Sequence, residues 1–326
     1  MRKLLFILFI SLGSFNLSFA DGFCEGPIGA EKAIESAAGV ITYSGAVSGI
    51  GDCSFAPDEY QVTIYEMSLC TASPTAPTSG AAFDASACSI VINSPAGQTV
   101  NMAAGSEVAL TDFTRPPNGI YTHGHMLISN SFGIKVTKQF TNTMHQNNTG
   151  NNGNFCWTLG GTEDTSDFSD GSPPSAASSP SAFANCGAEG DAAPAMYTER
   201  LDEFDSSGAS QFKYGPVTVQ SGAITAFLVT AATSRLVTAD NTADRLFGIQ
   251  SFTTPIVVKP DASSFTISFG VNQATQMQMD DESGSTANQY EVIAFGSGPF
   301  SSFMTCLLYT SPSPRDYTRS RMPSSA

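Results

Sequence analysis

The chain has 326 residues, 41% hydrophobic and 13% charged, with 29 acidic against 14 basic residues and a formal net charge of −15. A field of that sign repels polyanions, which excludes nucleic acid and anionic lipid surfaces as partners. It suits solubility in saline water and attracts cations. The length allows one large domain or two.

Arg2 and Lys3 precede an apolar run, Leu4 to Ile10, and Ser18-Phe19-Ala20 offers small residues at the two positions a signal peptidase reads. Residues 1–20 therefore read as a secretory signal peptide, too short and wrongly flanked for a membrane span. Asp21 is then the first mature residue, and the expected location is secreted: periplasmic, extracellular or cell-surface. Phe23 stands before Cys24 where a lipid-attachment motif needs a small residue, so no lipid anchor is expected. No later apolar stretch is long enough for a spanning helix.

"AEKAIESAA", residues 30–38, predicts a short helix ended by Gly39. Strands follow in "VITYSGAVSG" and "EYQVTIYEMSLC". In the second, Val62, Ile64, Glu66 and Ser68 alternate with Thr63, Tyr65, Met67 and Leu69. Residues 71–87 read as a loop bridged by Cys70 and Cys88. "CSIVINSPAGQTVNM" reads as two short strands around a Pro-Ala-Gly turn, and Pro117-Asn118-Gly119 as the turn before a long strand. Residues 162–186 are a Ser/Pro/Asp-rich stretch pinned by Cys156 and Cys186. "PAMYTERLDEF", residues 194–204, reads as an amphipathic helix with Tyr197, Leu201 and Phe204 on one face. Further strands fill the rest, and Asp280, Asp281 and Glu282 read as a turn.

The last residues break this composition. Cys306 to Asp316 translates back into codons that resemble a transposon-end sequencing adapter, and Ser320 to Ala326 into the flow-cell end of the same adapter. Residues 306–326 are therefore expected to be adapter-derived and to pack on nothing, with the natural frame running past about Thr305. Arg2, Lys3, Arg315, Arg319 and Arg321 but only one acidic residue, Asp316, lie in the two ends, so the remainder is more acidic still.

Six cysteines lie between: Cys24, Cys53, Cys70, Cys88, Cys156 and Cys186. An even number behind a signal peptide reads as disulfides. Sequential pairing, Cys24 with Cys53, Cys70 with Cys88 and Cys156 with Cys186, closes three local loops. None sits in a C-x-x-C, so neither a zinc knuckle nor a redox motif is suggested.

Many short strands with Gly/Pro turns predict an all-β fold of two β-sandwich units, prealbumin-like or Ig-like, with one or two short helices. The expected units are residues 21–159 and 196–305, divided by the pinned stretch 160–195. "LTDFTRPPNGIYTHGHMLI" resembles the leucine, Pro-Gly turn and G-x-Y strand start of prealbumin-like (Cna-B and transthyretin-like) modules of secreted bacterial proteins. The resemblance covers residues 60–140. It implies a sandwich with a surface or stalk role and no catalytic residues to carry over.

His123-Gly124-His125 is the sharpest chemical pattern. Residues two apart on a strand share a face, here with Tyr121 and Leu127. Two imidazoles so placed suit Zn²⁺, with His145 as a third ligand; two polar strand residues satisfy the pattern equally well. Glu163, Asp164, Asp167 and Asp170 crowd one acidic loop that would suit Ca²⁺, or simply solvent. No resident cofactor is otherwise expected. Trp157 reads as a core residue beside a disulfide, with sugar stacking as the alternative. No nucleophile elbow, P-loop or dinucleotide fingerprint occurs. The expectation is a non-enzymatic protein in adhesion, surface structure or ligand binding, whose partner is a surface ligand or protein. The rivals are a carbohydrate- or polymer-binding module and a metal-dependent enzyme using His123 and His125.

Overall fold

The computed structural model describes residues 6–9, 23–25, 33–36, 39–43, 51–103, 107–146, 151–162, 184–204, 211–219, 222–239, 242–260, 264–271, 274–283, 286–297 and 301–307. These residues are nearly all β-strand, in one large mixed sheet and two separate strand pairs, so the protein is all-β.

The first strands are β1 (Phe6–Phe9), β2 (Phe23–Glu25), β3 (Ala33–Glu35), β4 (Val40–Tyr43), β5 (Gly51–Phe55), β6 (Glu59–Cys70) and β7 (Cys88–Met102). Next come β8 (Glu107–Leu110), β9 (Gly119–Ser129), β10 (Ser131–Lys135), β11 (Thr137–Gln146), β12 (Asn152–Thr162), β13 (Ala184–Gly187) and β14 (Ala195–Arg200). The last are β15 (Lys213–Val219), β16 (Gly222–Val229), β17 (Arg245–Val258), β18 (Ser264–Gly270), β19 (Thr275–Ser283), β20 (Thr286–Ser297) and β21 (Ser301–Leu307).

Two runs of neighbours organise the large sheet. In one, β7, β6, β9, β17, β16 and β15 lie side by side, all antiparallel. In the other, β11 pairs with β12, β4 and β20, and the run continues through β19 to β5 and β2. β10 and β14 bridge from β6 to β12. Both runs contribute to one core that includes Tyr60, Ile64, Phe140, Met277 and Phe295, all essentially inaccessible to water. Each such side chain contributes about 1.5–3 kcal/mol of hydrophobic stabilisation. β9 and β17 lie on either side of the expected divide at 160–195, yet they pair from Arg245↔Ser129 to Val258↔Gly119. Strands from before and after that stretch thus share one sheet.

The expected helices are replaced by strands. Ala33–Glu35 is β3, paired with β4, and Ala195–Arg200 is β14, held between β10 and β12. "AMYTER" also reads with period two, and its Tyr197 enters the core at 4% exposure. Two open strand edges supply backbone partners on both sides, which a short isolated helix lacks, so tertiary pairing overrides local propensity. A short 3₁₀ turn lies at Glu189–Asp191. Asp280, Asp281 and Glu282 lie within β19 rather than in a turn, with Asp280 opposite Glu291 and Glu282 opposite Ala287.

Within the expected signal segment, Phe6–Phe9 pairs with β8. In the expected adapter segment, Cys306 and Leu307 continue β21 opposite Phe265 and Ser264, so the first two residues do pair; 308–326 lie outside the described residues. Among the described residues no helix is long and apolar enough to cross a membrane.

Candidate functional site

The candidate site begins with an irregularity in β6. Ile64 faces Ile128 of β9, but Glu66 faces Leu127, so β6 carries one extra residue at Tyr65. A bulge of this kind exchanges the two faces of a strand. Val62 and Ile64 before it, and Met67 and Leu69 after it, all enter the main core. Glu66, Ser68 and Cys70 are turned to the opposite side. β7 accommodates the bulge with one of its own, since Ile64 pairs with Gln98 and Glu66 with Asn93. The Pro-Ala-Gly sequence is therefore a bulge inside a continuous strand rather than a hairpin turn. Gly97 has φ 84, and a Cβ there would meet Thr63 Cγ2 at 2.6 Å and Tyr65 Cε1 at 2.7 Å, so only glycine fits.

His125 lies on β9 between Ser68 of β6 and Ile249 of β17. Its Nε2 is 2.8 Å from Glu66 Oε1 and its Nδ1 3.9 Å from Cys70 Sγ. A carboxylate accepts, so the neutral ring carries its proton on Nε2 and turns the Nδ1 lone pair toward the sulfur. Cys70 is joined to Cys88, which closes the loop 71–87 over this face. Phe83 of that loop stacks on Phe247 of β17, centroids 4.0 Å apart, and both rings contact the imidazole at 5.8 and 5.3 Å. His125 is 1% exposed. Leu236 N–H donates to Thr78 O and Phe83 N–H to Ser234 O, so a second loop pins the first.

The other end of the pair is wet. The Glu66 side chain is 24% exposed and lines a cleft of about 230 Å³ with Tyr65, Asn93, Leu127, Ser234 and Arg245. The Arg245 guanidinium sits 3.6 Å above the Tyr65 ring, a favourable cation–π contact. Ser68 Oγ, across from His125, is buried and makes no hydrogen bond among the described residues. The pair can hold a fixed tautomer, and the imidazole is buried while Cys70 and Cys88 are joined.

His123 is half-buried, its Nδ1 2.9 Å from Thr122 Oγ1, and partial burial holds its pKa below the ordinary value. His145 lies on β11, opposite Asn152 and beside Glu291 of β20. The three histidines do not converge. The group of three metal-capable side chains found among the described residues is Cys70, Cys88 and His125. Leu127 shares the His125 side, packing with Phe247, whereas Tyr121 joins the main core and donates to Pro117 O at 2.8 Å. Glu163, Asp164, Asp167 and Asp170 lie outside the described residues.

Cys156 and Cys186 are bonded, as are Cys70 and Cys88. Cys24 and Cys53 are register partners on β2 and β5. Trp157 is 3% exposed beside the Cys156–Cys186 bond. It lines a groove of about 410 Å³ with Asn151, Asn152, Asn185 and Asp191. Asn151 Nδ2 donates to Asn185 Oδ1 at 3.0 Å, which fixes two of these amides.

Glu66 and Phe83 had no signal in the sequence that would single them out. Glu66 looked like one position of a regular alternation, and Phe83 like a loop residue. No family model, curated protein or solved structure matches the chain.

Proposed function

We propose that this chain is an exported, disulfide-stapled β-protein of the cell surface or periplasm. Its role is structural, adhesive or ligand-binding rather than catalytic. The observation that carries this reading is the pair of bonds Cys70–Cys88 and Cys156–Cys186, each joining directly opposed residues of neighbouring strands. Such bonds persist in oxidising compartments. The surroundings of His125 support the non-catalytic part. Both ring nitrogens face protein atoms, and aromatic rings cover the imidazole. The test is expression with residues 1–20 intact in a Gram-negative host, followed by fractionation and thiol counting. Export with Cys70, Cys88, Cys156 and Cys186 all oxidised is expected; cytoplasmic retention, or free thiols in the exported protein, overturns the reading.

A second reading, a carbohydrate- or polymer-binding module, is favoured by the groove at Trp157. Three asparagines and one aspartate line it, which is the donor and acceptor chemistry that sugar hydroxyls require. Binding to a soluble oligosaccharide panel that disappears in an Asn185→Ala variant supports this reading. No binding across the panel removes it.

A further inference from the structure

We propose that Cys70, Cys88 and His125 form a redox-gated site for a thiophilic divalent cation of the zinc class, absent while the two sulfurs are joined and formed once they are reduced. The two sulfurs and one imidazole nitrogen lie within 4.8 Å of one another. Tetrahedral zinc, with bonds of about 2.0 Å to nitrogen and about 2.3 Å to sulfur, places such donors about 3.5 Å apart. The observed separation of Nδ1 from Cys70 Sγ, 3.9 Å, needs little adjustment. Two thiolates on one metal stand about 3.8 Å apart, so reduction must let one sulfur withdraw. Cys88 is half-buried at the start of β7, next to the loop, and is the sulfur with room to move.

The second ring nitrogen strengthens the case. Glu66 Oε1 accepts from Nε2 at 2.8 Å, and a carboxylate on the far nitrogen is the usual support of a metal-bound imidazole. It fixes the tautomer that offers Nδ1 to the metal. Charge argues the same way. Reduction and ionisation would leave two thiolates on the Nδ1 side of the buried His125 imidazole. Burial disfavours two adjacent thiolates, so the sulfurs stay protonated until a divalent cation binds and balances their charge.

The chemistry balances with a dithiol as reductant. One of its thiolates attacks Cys88 Sγ, the S–S bond breaks, and Cys70 departs as a thiolate that takes up a proton. The reductant's second thiol attacks the mixed disulfide, closes the reductant's own S–S bond and releases Cys88 as a thiol. Two electrons and two protons have then passed to the protein. Zinc uptake releases the two thiol protons and forms bonds to Cys70 Sγ, Cys88 Sγ and His125 Nδ1, leaving a fourth position for water.

The test uses the full chain, reduced without oxygen by a phosphine that does not compete for metal. Zinc is added, and cysteine alkylation is read peptide by peptide. One zinc per reduced chain and none per oxidised chain is expected. Zinc should slow labelling of Cys70 and Cys88 at least tenfold and leave Cys156 and Cys186 unchanged. Cobalt in place of zinc should give a sulfur-to-metal charge-transfer band. His125→Asn should weaken zinc at least tenfold, and Glu66→Gln by about 10- to 100-fold. Where the His125 variant does not fold, zinc-dependent protection in the unaltered chain decides. The proposal is overturned by no uptake, by labelling indifferent to zinc, by protection at Cys156 and Cys186 instead, or by loss of the β circular dichroism on reduction.

Discussion

Glu66 and His125 meet at 2.8 Å across the β6–β9 pair, and only the Glu66 end of that contact reaches water. The imidazole end is sealed, so its N–H depends on the carboxylate. Glu66→Ala should therefore lower the stability of the oxidised protein by about 1–2 kcal/mol, the penalty of an unpaired buried donor. Glu66→Gln keeps an acceptor in place and should lower it by less than half as much. Urea unfolding measures both. Equal midpoints for Glu66→Ala and the unaltered chain would show that the contact contributes nothing.

Phe83 is the one large ring that the loop 71–87 lays on Phe247. Phe83→Ala should reduce stability by about 1–2 kcal/mol through lost aromatic contact and burial. The effect should be local. The amides of Thr75 and Asp84, which bond each other's carbonyls, should exchange at least tenfold faster, while those of β6 and β9 hold. A uniform change across the sheet would mean that the ring supports the whole fold rather than the loop.

The all-β class was legible because β-branched and aromatic runs recur between Gly/Pro turns, and the Cys70–Cys88 loop because its ends are cysteines around a strand-poor stretch. The site was not legible. Its faces depend on the extra residue at Tyr65, and alternation read straight through that point puts Met67 and Leu69 on the wrong side. A bulge is set by the partner strand, here by the room that Gly97 leaves, and not by the bulged residue's own chemistry. His125 was expected beside His123 and His145 because sequence shows only near neighbours. Its actual partners, Glu66 and Cys70, come from a strand more than fifty residues earlier. The expected helix at 194–204 failed for a related reason: β10 and β12 offered edges that local periodicity does not see.

His123 gives a pH signature. Partial burial disfavours its charged form, so its folded pKa lies below the ordinary 6.5. The unfolded chain then binds the proton more readily than the folded one. The resulting stability is complete above the unfolded value and is lost as pH falls through it toward the folded value. His123→Gln should remove this component. Urea midpoints at about pH 7.5 and about pH 5 should therefore fall less on acidification in the variant than in the unaltered chain. An identical fall in both would show that His123 does not contribute.

The register of β2 against β5 places Cys24 opposite Cys53, the same cross-strand relation that Cys70–Cys88 and Cys156–Cys186 have. Unreduced peptide mapping should recover a Cys24–Cys53 peptide pair. Recovery of Cys24 joined to any other cysteine would contradict the strand pairing itself.

The Cys156–Cys186 bond should matter more than its place at a four-residue strand suggests. β13 spans only Ala184–Gly187, too short to hold a register unaided, and the bond closes a sequence separation of 30. Loop-closure entropy for such a span corresponds to about 3–4 kcal/mol. Changing both cysteines to serine together should lower stability by about that amount while leaving the loop at Cys70–Cys88 intact. It should also loosen the groove, because Asn185 and Gly187 flank Cys186 and both line it with Trp157. Trp157 is the only tryptophan in the chain, so its fluorescence reports this site alone. A red-shifted emission in the variant below the unfolding transition is expected. An unshifted spectrum together with an unchanged urea midpoint would mean that strand pairing with β12, not the bond, holds β13 in place.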